Sequence, residues 1–374
     1  MAISATNNEK QVGIMKYFIK TKKFNGKIKQ QPEDFVVIEL DPEKISTSQK
    51  NYFSLKKTKP GLFIHFILKK RLIDSPSAIN LLARKTGLRV SDFGYAGLKD
   101  ALAITYQRIS VWGSTIDTLK KISLKNMELI DPVPASYQIR LGQLWGNQFQ
   151  VRITQFNTSI SDQEIQTSIS ELKKYGFPNY FGLQRFGTKR PVLHQVGKYI
   201  IKRDYKKAVY TYLGAISPIE NSSITAIRED FIKNENFDFI LKEFPKRYTI
   251  ERTLAQHLKK RPNDFLGALS RLPYKIKRLC ISSYQSYLFN RILSQMDYSI
   301  PNLELPLVGF ESKFQDFPEE VQQILSETLE KEKISYNDFK HSIREFSTKG
   351  GQRKAFIIPT ELFWGCENEE TLKL

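Results

Sequence analysis

The chain is poor in the residues that build cross-links and metal centres. Two cysteines, Cys280 and Cys366, lie far apart in 374 residues. They make no disulfide framework, and a reduced intracellular setting, the cytoplasm, is expected. The four histidines, His65, His194, His257 and His341, are isolated. No Cys or His pair has zinc-ligand spacing, so no structural metal is expected. No run of about eighteen apolar residues occurs, which predicts no membrane-spanning helix. The opening MAISATNNEKQVG has no apolar core of the kind a signal peptide needs. No GxGxxG opens a helix after a strand, and no GxxxxGK[ST] occurs, so dinucleotide and NTP binding lack support. No GxSxG elbow is present either.

Positive charge is what the chain has in excess. Lys and Arg number 58 against 39 Asp and Glu, a formal net charge of +19 with a pI near 9.6. A pI above 9 is the electrostatic footprint of nucleic-acid binding. An anionic membrane would attract the same charge, but no basic helix has an unbroken apolar face. The hydrophobic fraction of 40% suffices for a sizeable core. The length favours two domains over one.

Local patterns predict a β-rich start. Residues 1 to about 28 read as a frayed, basic lead-in. IKQQPEDFVVIEL (28–40) then gives a strand after Pro32, with Phe35, Val37 and Glu39 on one face. NYFSLKK (51–57) and LFIHFILKK (62–70) alternate as strands do. Ser75-Pro76 opens a helix that Gly87 stops. A short helix is expected over 114–125. The two prolines in DPVPASYQIRLGQLWG (131–146) predict a broken connection, followed by a strand from Asn147. Ser161 and Asp162 cap a helix that ends at Tyr175-Gly176. From about residue 190 the pattern turns helical, over 192–213, 223–234, 250–260 and 274–296. A short acidic helix follows Pro318, and strand signal returns at 351–359. This order predicts an α/β (α+β) protein with a helical domain inserted into the first one.

The stretch Gly94–Gln107, GYAGLKDALAITYQ, concentrates the chemistry. Gly94 and Gly97 are expected to free the backbone for φ > 0. Lys99 and Asp100 follow, and Leu102, Ile104, Tyr106, Ile109 and Val111 alternate as a strand. Asp100 therefore falls at a loop-to-strand junction beside a lysine. One reading is a turn aspartate bonded to its own backbone, which is the commoner case. The other is a carboxylate kept ionised by the neighbouring ammonium, able to act as nucleophile or electrostatic stabiliser. Aromatic residues meet basic ones around Phe35, around Trp145, Asn147 and Phe149, and around Tyr180, Phe181, Arg185 and Phe186. Such rings either stack on unpaired bases or belong to the core. Asn147 either reads a base edge or caps a turn.

Six segments, in order, carry a resemblance. They are IKQQPEDFVVIE, GLKDALAITYQ, LGQLWGNQF (141–149), NYFGLQRFG (179–187), SSYQSYLFNRIL (282–293) and GQRKAFIIPTEL (351–362). Together they resemble the TruD-type tRNA pseudouridine synthases, in their archaeal-like form. NYFGLQRFG matches at every fixed position. Behind Lys99-Asp100 the chain departs, with Ala101 and Leu102 where the family has a basic and a polar residue.

The resemblance implies a pseudouridine synthase core with a mixed, largely antiparallel sheet flanked by helices. It places that catalytic domain at 1–187 and 345–374, with a mostly helical inserted domain at 188–344. It implies isomerisation of a uridine in tRNA, uridine 13 or else uridine 35, without cofactor or metal. Asp100 would be the catalytic residue. Phe35, Lys99, Asn147 and Phe149 would bind the substrate, with Lys99 keeping Asp100 ionised. Arg185 and Phe186 would shape the core beneath. A monomer with tRNA as its partner, no protein partner and no membrane is implied. The rival function is a non-catalytic RNA-binding protein or RNA chaperone on the same fold, which would need the basic surface but no particular aspartate.

Overall fold

The computed structural model describes residues 3–18, 26–40, 62–155, 161–187, 190–296, 302–362, 365–368 and 371–373. The strand expected over 51–57 lies outside them. The chain packs as two units, one spanning 23–160 and the other 1–22 with 161–374. This partition follows packing. Which segments form a catalytic domain and which an insertion is a separate matter that packing does not address.

The first unit is built on a six-stranded mixed sheet. Its strands are β1 (Phe35–Leu40), β2 (Phe63–Arg71), β3 (Phe93–Tyr95), β4 (Ile104–Trp112), β5 (Met127–Ala135) and β6 (Gly146–Val151). The order is β5-β2-β4-β1-β6, with β3 also paired to β4. Only β1 and β4 run parallel, Val36 opposite Ile104 and Ile38 opposite Tyr106. All other pairs are antiparallel. Helix α1 (Ser75–Thr86) and the short α2 (Ile116–Lys120) supply the cover. Ile79 and Leu82 of α1 and Leu119 of α2 pack with Phe66, Leu68, Ile109 and Val111 of the central strands. Full burial of each such side chain contributes about 1.5–3 kcal/mol.

Several local expectations change here. The cap of α1 is Asp74, whose Oδ1 accepts the Ser77 N–H at 2.9 Å, and Ser75 is buried for another use. The helix over 114–125 shrinks to 116–120. The first five residues of the proline-broken connection, 131–135, are instead the second half of β5, which carries Pro132 and Pro134 at the edge of the sheet. An edge strand needs hydrogen bonds on one side only, so proline is tolerated. The register slips opposite His65–Ile67, where Asp131 takes φ 48°. Gly94 and Gly97 have no positive φ. Gly94 is required by space, since a Cβ there would collide with the Ile139 carbonyl and lie 2.6 Å from Ser110 Oγ.

The second unit is mostly helical and centred on a long helix, Tyr274–Leu293. Cys280, Tyr284, Leu288, Phe289 and Ile292 are fully buried in its core. The helical stretch expected over 192–213 is two helices, Leu193–Ile201 and Tyr205–Gly214, broken where Arg203 takes φ 62°. The helices at Ser222–Asn234, Thr249–Lys260 and Glu319–Glu332 lie where periodicity put them. Ser161 and Gly176 bound the helix Asp162–Tyr175 as expected, with a full capping box. The amino terminus is not frayed throughout. Residues Asn7–Gln11 form a helix, Val12 is fully buried, and Asn290 Nδ2 donates to its carbonyl at 2.9 Å.

Candidate active site

The loop 96–103 enters β4 from outside the sheet, and its shape is imposed by buried side chains below it. Gln107, fully buried on β4, donates its amide to the Gly97 carbonyl. Its Oε1 accepts from Ser75 Oγ at 2.8 Å, and Ser75 Oγ accepts the Lys99 N–H at 3.0 Å. Ser75 and Gln107 thus clamp both ends of the segment 97–99. Lys70 closes the clamp from β2. Its ammonium donates to the carbonyls of Ile73 at 2.7 Å and Asp100 at 2.9 Å, with Lys99 O at 3.4 Å. Lys70 is 1% exposed. Burial pushes its pKa down to about 8, against the pull of the Asp74 and Asp100 carboxylates.

This clamp leaves the Asp100 carboxylate open, with 46% of the side chain exposed. Its partner is Lys29, Nζ to Oδ2 2.7 Å. The same ammonium lies 3.8 Å from the centroid of the Phe35 ring, a cation–π distance. Phe35 in turn meets Phe149 at 5.8 Å between centroids. Val37 stands opposite Phe149 and Phe35 opposite Val151, so the two rings are diagonal neighbours on β1 and β6. Phe149 is 55% exposed and is not a core residue. Lys29 itself has φ 56°, a left-handed conformation that costs about 1–3 kcal/mol for a residue with a side chain.

Lys99 does not face Asp100. Its side chain is buried and reaches Glu39 Oε2 at 3.0 Å and Asn147 Oδ1 at 2.6 Å. Glu39 is wholly buried and also approaches Arg108 Nε at 3.6 Å. Arg108 donates to the Gln143 carbonyl at 2.8 Å. The expected pairing of Lys99 with Asp100 is therefore corrected. The Lys99 side chain is buried against Glu39 and Asn147, while that of Asp100 stays half-exposed. Lys99 fixes Asn147, and Lys29 neutralises Asp100. All five sequence-named residues, Phe35, Lys99, Asp100, Asn147 and Phe149, still fall in one neighbourhood of the first unit. Glu39, Lys70, Ser75 and Gln107 were not assigned to the site from sequence. Among the described residues no group of His, Cys, Asp and Glu is arranged to hold a metal ion, and no helix is long and apolar enough to cross a membrane.

Comparison with known proteins gives the family. The family model for tRNA pseudouridine synthase D (TruD) matches residues 11–301. The chain belongs to the TruD family. It is 32% identical over 361 residues to probable tRNA pseudouridine synthase D 2 of Methanococcus maripaludis, covering 93% of this chain and 90% of that one. It is 34% identical over 346 residues to probable tRNA pseudouridine synthase D 1 of Methanocaldococcus jannaschii, covering 89% and 86%. The crystal structure of the putative TruD of Methanosarcina mazei superposes with a TM-score of 0.80 at 25% identity, over 99% of this chain and 93% of that one.

As a TruD protein the chain shows what its motif residues do locally. In GLKDALAITYQ, Gly97 and Lys99 are the clamped positions and Gln107 is the clamp. In LGQLWGNQF, Asn147 is the acceptor for Lys99 and Phe149 is the exposed ring. Ala101 and Leu102, the two departures, are exposed in the turn before β4, beside the open carboxylate.

Proposed function

We propose that this TruD protein converts one uridine of tRNA to pseudouridine with Asp100 as the nucleophile. Uridine 13 is the first choice of site and uridine 35 the second. The observation that carries the reading is a single open carboxylate, ion-paired to Lys29 and flanked by the Phe35–Phe149 ring pair.

In this reading the target base leaves its stack, at a cost of a few kcal/mol. The exposed Phe149 ring offsets that by stacking on the uracil, at about 1–3 kcal/mol. The Asp100 oxygen attacks the nucleotide, at the sugar C1′ or at the base. The C1′–N1 bond breaks, the uracil turns, C1′ bonds to C5, and the bond formed to the Asp100 oxygen breaks, which returns the free carboxylate. The proton lost from C5 is balanced by one gained at N1, so the reaction is an isomerisation and consumes nothing. Lys29 holds one Asp100 oxygen at 2.7 Å and leaves the other for attack. Asn147, held by Lys99, presents its amide at the rim. The +19 net charge supplies the salt-dependent affinity for RNA.

The test is cofactor-free incubation with unmodified tRNA transcripts, followed by mapping of pseudouridine by carbodiimide-blocked reverse transcription. Asp100→Asn should abolish turnover and leave tRNA binding within a few fold. Turnover at the normal rate in that variant would remove Asp100 as nucleophile. Binding by the unaltered protein without any modified position in tRNA or total RNA would favour the non-catalytic RNA-binding reading.

A further inference from the structure

Three motifs singled out in the sequence, NYFGLQRFG, SSYQSYLFNRIL and GQRKAFIIP, lie in the helical unit. Within the helical unit they converge on one ring, Phe181. The Arg353 guanidinium lies 4.1 Å from its centroid and that of Arg185 5.5 Å. Phe181 is locked by the long helix, since Asn290 Oδ1 accepts its N–H at 2.9 Å and Asn290 Nδ2 donates to its carbonyl at 3.0 Å. Phe289 backs it edge-on at 5.4 Å.

Both arginines are anchored and both are under-used. Arg185 Nε donates to Ser286 Oγ at 3.2 Å, and its carbonyl accepts from Ser283 Oγ at 2.7 Å. Arg353 donates to Asn179 through Nε, to the carbonyl at 3.2 Å, and through Nη2, to Oδ1 at 2.5 Å. Among the described residues, neither guanidinium pairs with a carboxylate, and Arg185 Nη1 and Nη2 and Arg353 Nη1 donate no hydrogen bond. Burial lowers the pKa of each, and Arg185 lowers that of Arg353 further. Two half-buried like charges beside one ring oppose each other unless an anion joins them. Elsewhere in the same unit the buried Arg228 is neutralised by Glu220 and Glu251. The absence of an acid at Phe181 is therefore local.

We propose that Arg185 and Arg353, set by Phe181, bind a phosphodiester group of the RNA substrate. Guanidinium suits this because it stacks on a ring and offers paired N–H donors to phosphate oxygens. Ser286 and Asn179 fix the two forks before RNA arrives, so little side-chain freedom is lost on binding. The proposal rests on tRNA being the substrate.

The experiment is titration of an unmodified tRNA transcript across a range of salt concentrations. It compares the unaltered protein, the double variant Arg185→Gln with Arg353→Gln, and the charge-keeping double variant Arg185→Lys with Arg353→Lys. The Gln variant should bind roughly tenfold more weakly at low salt, the scale of a lost charge-assisted contact. Its slope of log K against log salt should be shallower by about 0.7–0.9, one phosphate's share. The Lys variant should keep the slope and lose part of the affinity. A Gln variant with unchanged slope, folded by thermal unfolding, overturns the proposal and leaves the arginines a structural role. If the Gln variant fails to fold, the Lys variant decides, because a folded Lys variant that binds tRNA with undiminished affinity would equally overturn it. Absence of salt-dependent tRNA binding in the unaltered protein would instead overturn the substrate reading, and this proposal with it.

Discussion

Replacing Lys70 by Met tests how the loop 96–103, which carries Asp100, is held. The side chains are similar in length, so the change removes an ammonium without opening a large cavity. Two effects oppose each other. The carbonyls of Ile73 and Asp100 lose a buried donor, at about 1–3 kcal/mol each. Against that, the variant no longer buries a charge. The fall of the Lys70 pKa from 10.5 to about 8 values that burden at roughly 3 kcal/mol, from about 1.36 kcal/mol per pH unit. At pH 7 the net change in stability is thus small, within about 3 kcal/mol either way. The pH dependence is diagnostic. Between pH 8 and 10.5 the unfolded chain still carries a proton on this lysine that the folded chain has released. Raising the pH through that window therefore favours the folded state. Below pH 8 both states are protonated, and the full burden remains. Urea unfolding at a series of pH values should show the stability of the unaltered protein, relative to Lys70→Met, rising by roughly 2–3 kcal/mol from pH 7.5 to 10.5. Taking the difference cancels the other titrating groups. In the same variant kcat should fall about 10²-fold with tRNA affinity unchanged, since a loop misplaced by an ångström loses attack geometry. A flat difference curve would refute the buried ammonium. An unchanged kcat would refute its role in placing Asp100.

Two further outcomes follow from the same site. Phe149→Ala should lower kcat/KM on tRNA by about 10–100-fold, equivalent to about 1–3 kcal/mol of stacking, with a much smaller change in overall affinity. Unchanged turnover would remove the stacking role. Glu39→Gln removes the buried carboxylate that Lys99 and Arg108 approach and should destabilise the fold by about 3–5 kcal/mol in urea unfolding. A loss under about 1 kcal/mol would mean that this buried cluster does not depend on the charge of Glu39.

Elements fixed by short-range chemistry were legible in the chain. Ser161, Asp162 and Gly176 bound their helix because a cap and a left-handed exit are decisions made within four residues. β4 and β2 were legible from alternation, though Leu102 falls in the turn and not in the strand. β5 was not, because proline reads as a breaker until one knows that the strand lies at the sheet edge. In the site, the aspartate at a loop-to-strand junction was legible, and its cation was misread. Lys99 is adjacent in the chain but turned away. Lys29 is 71 positions distant and makes the contact. Likewise Gln107 belonged to a recognisable motif, but nothing in its spacing says that it reaches back to Gly97 through a buried face.

By itself the sequence determined the chemical inventory: the excess of positive charge, the Asp100 carboxylate in its glycine-containing loop, the exposed-ring candidates, and a string of motifs specific enough to give the family. It could do so because composition and local order survive without coordinates. The tertiary structure alone decided which charge meets which. Ion pairs and buried hydrogen bonds depend on distances set by sheet register and side-chain direction, and these join residues tens of positions apart. The partners of Asp100, Lys99 and Lys70, and the two arginines that meet at Phe181, are all of that kind.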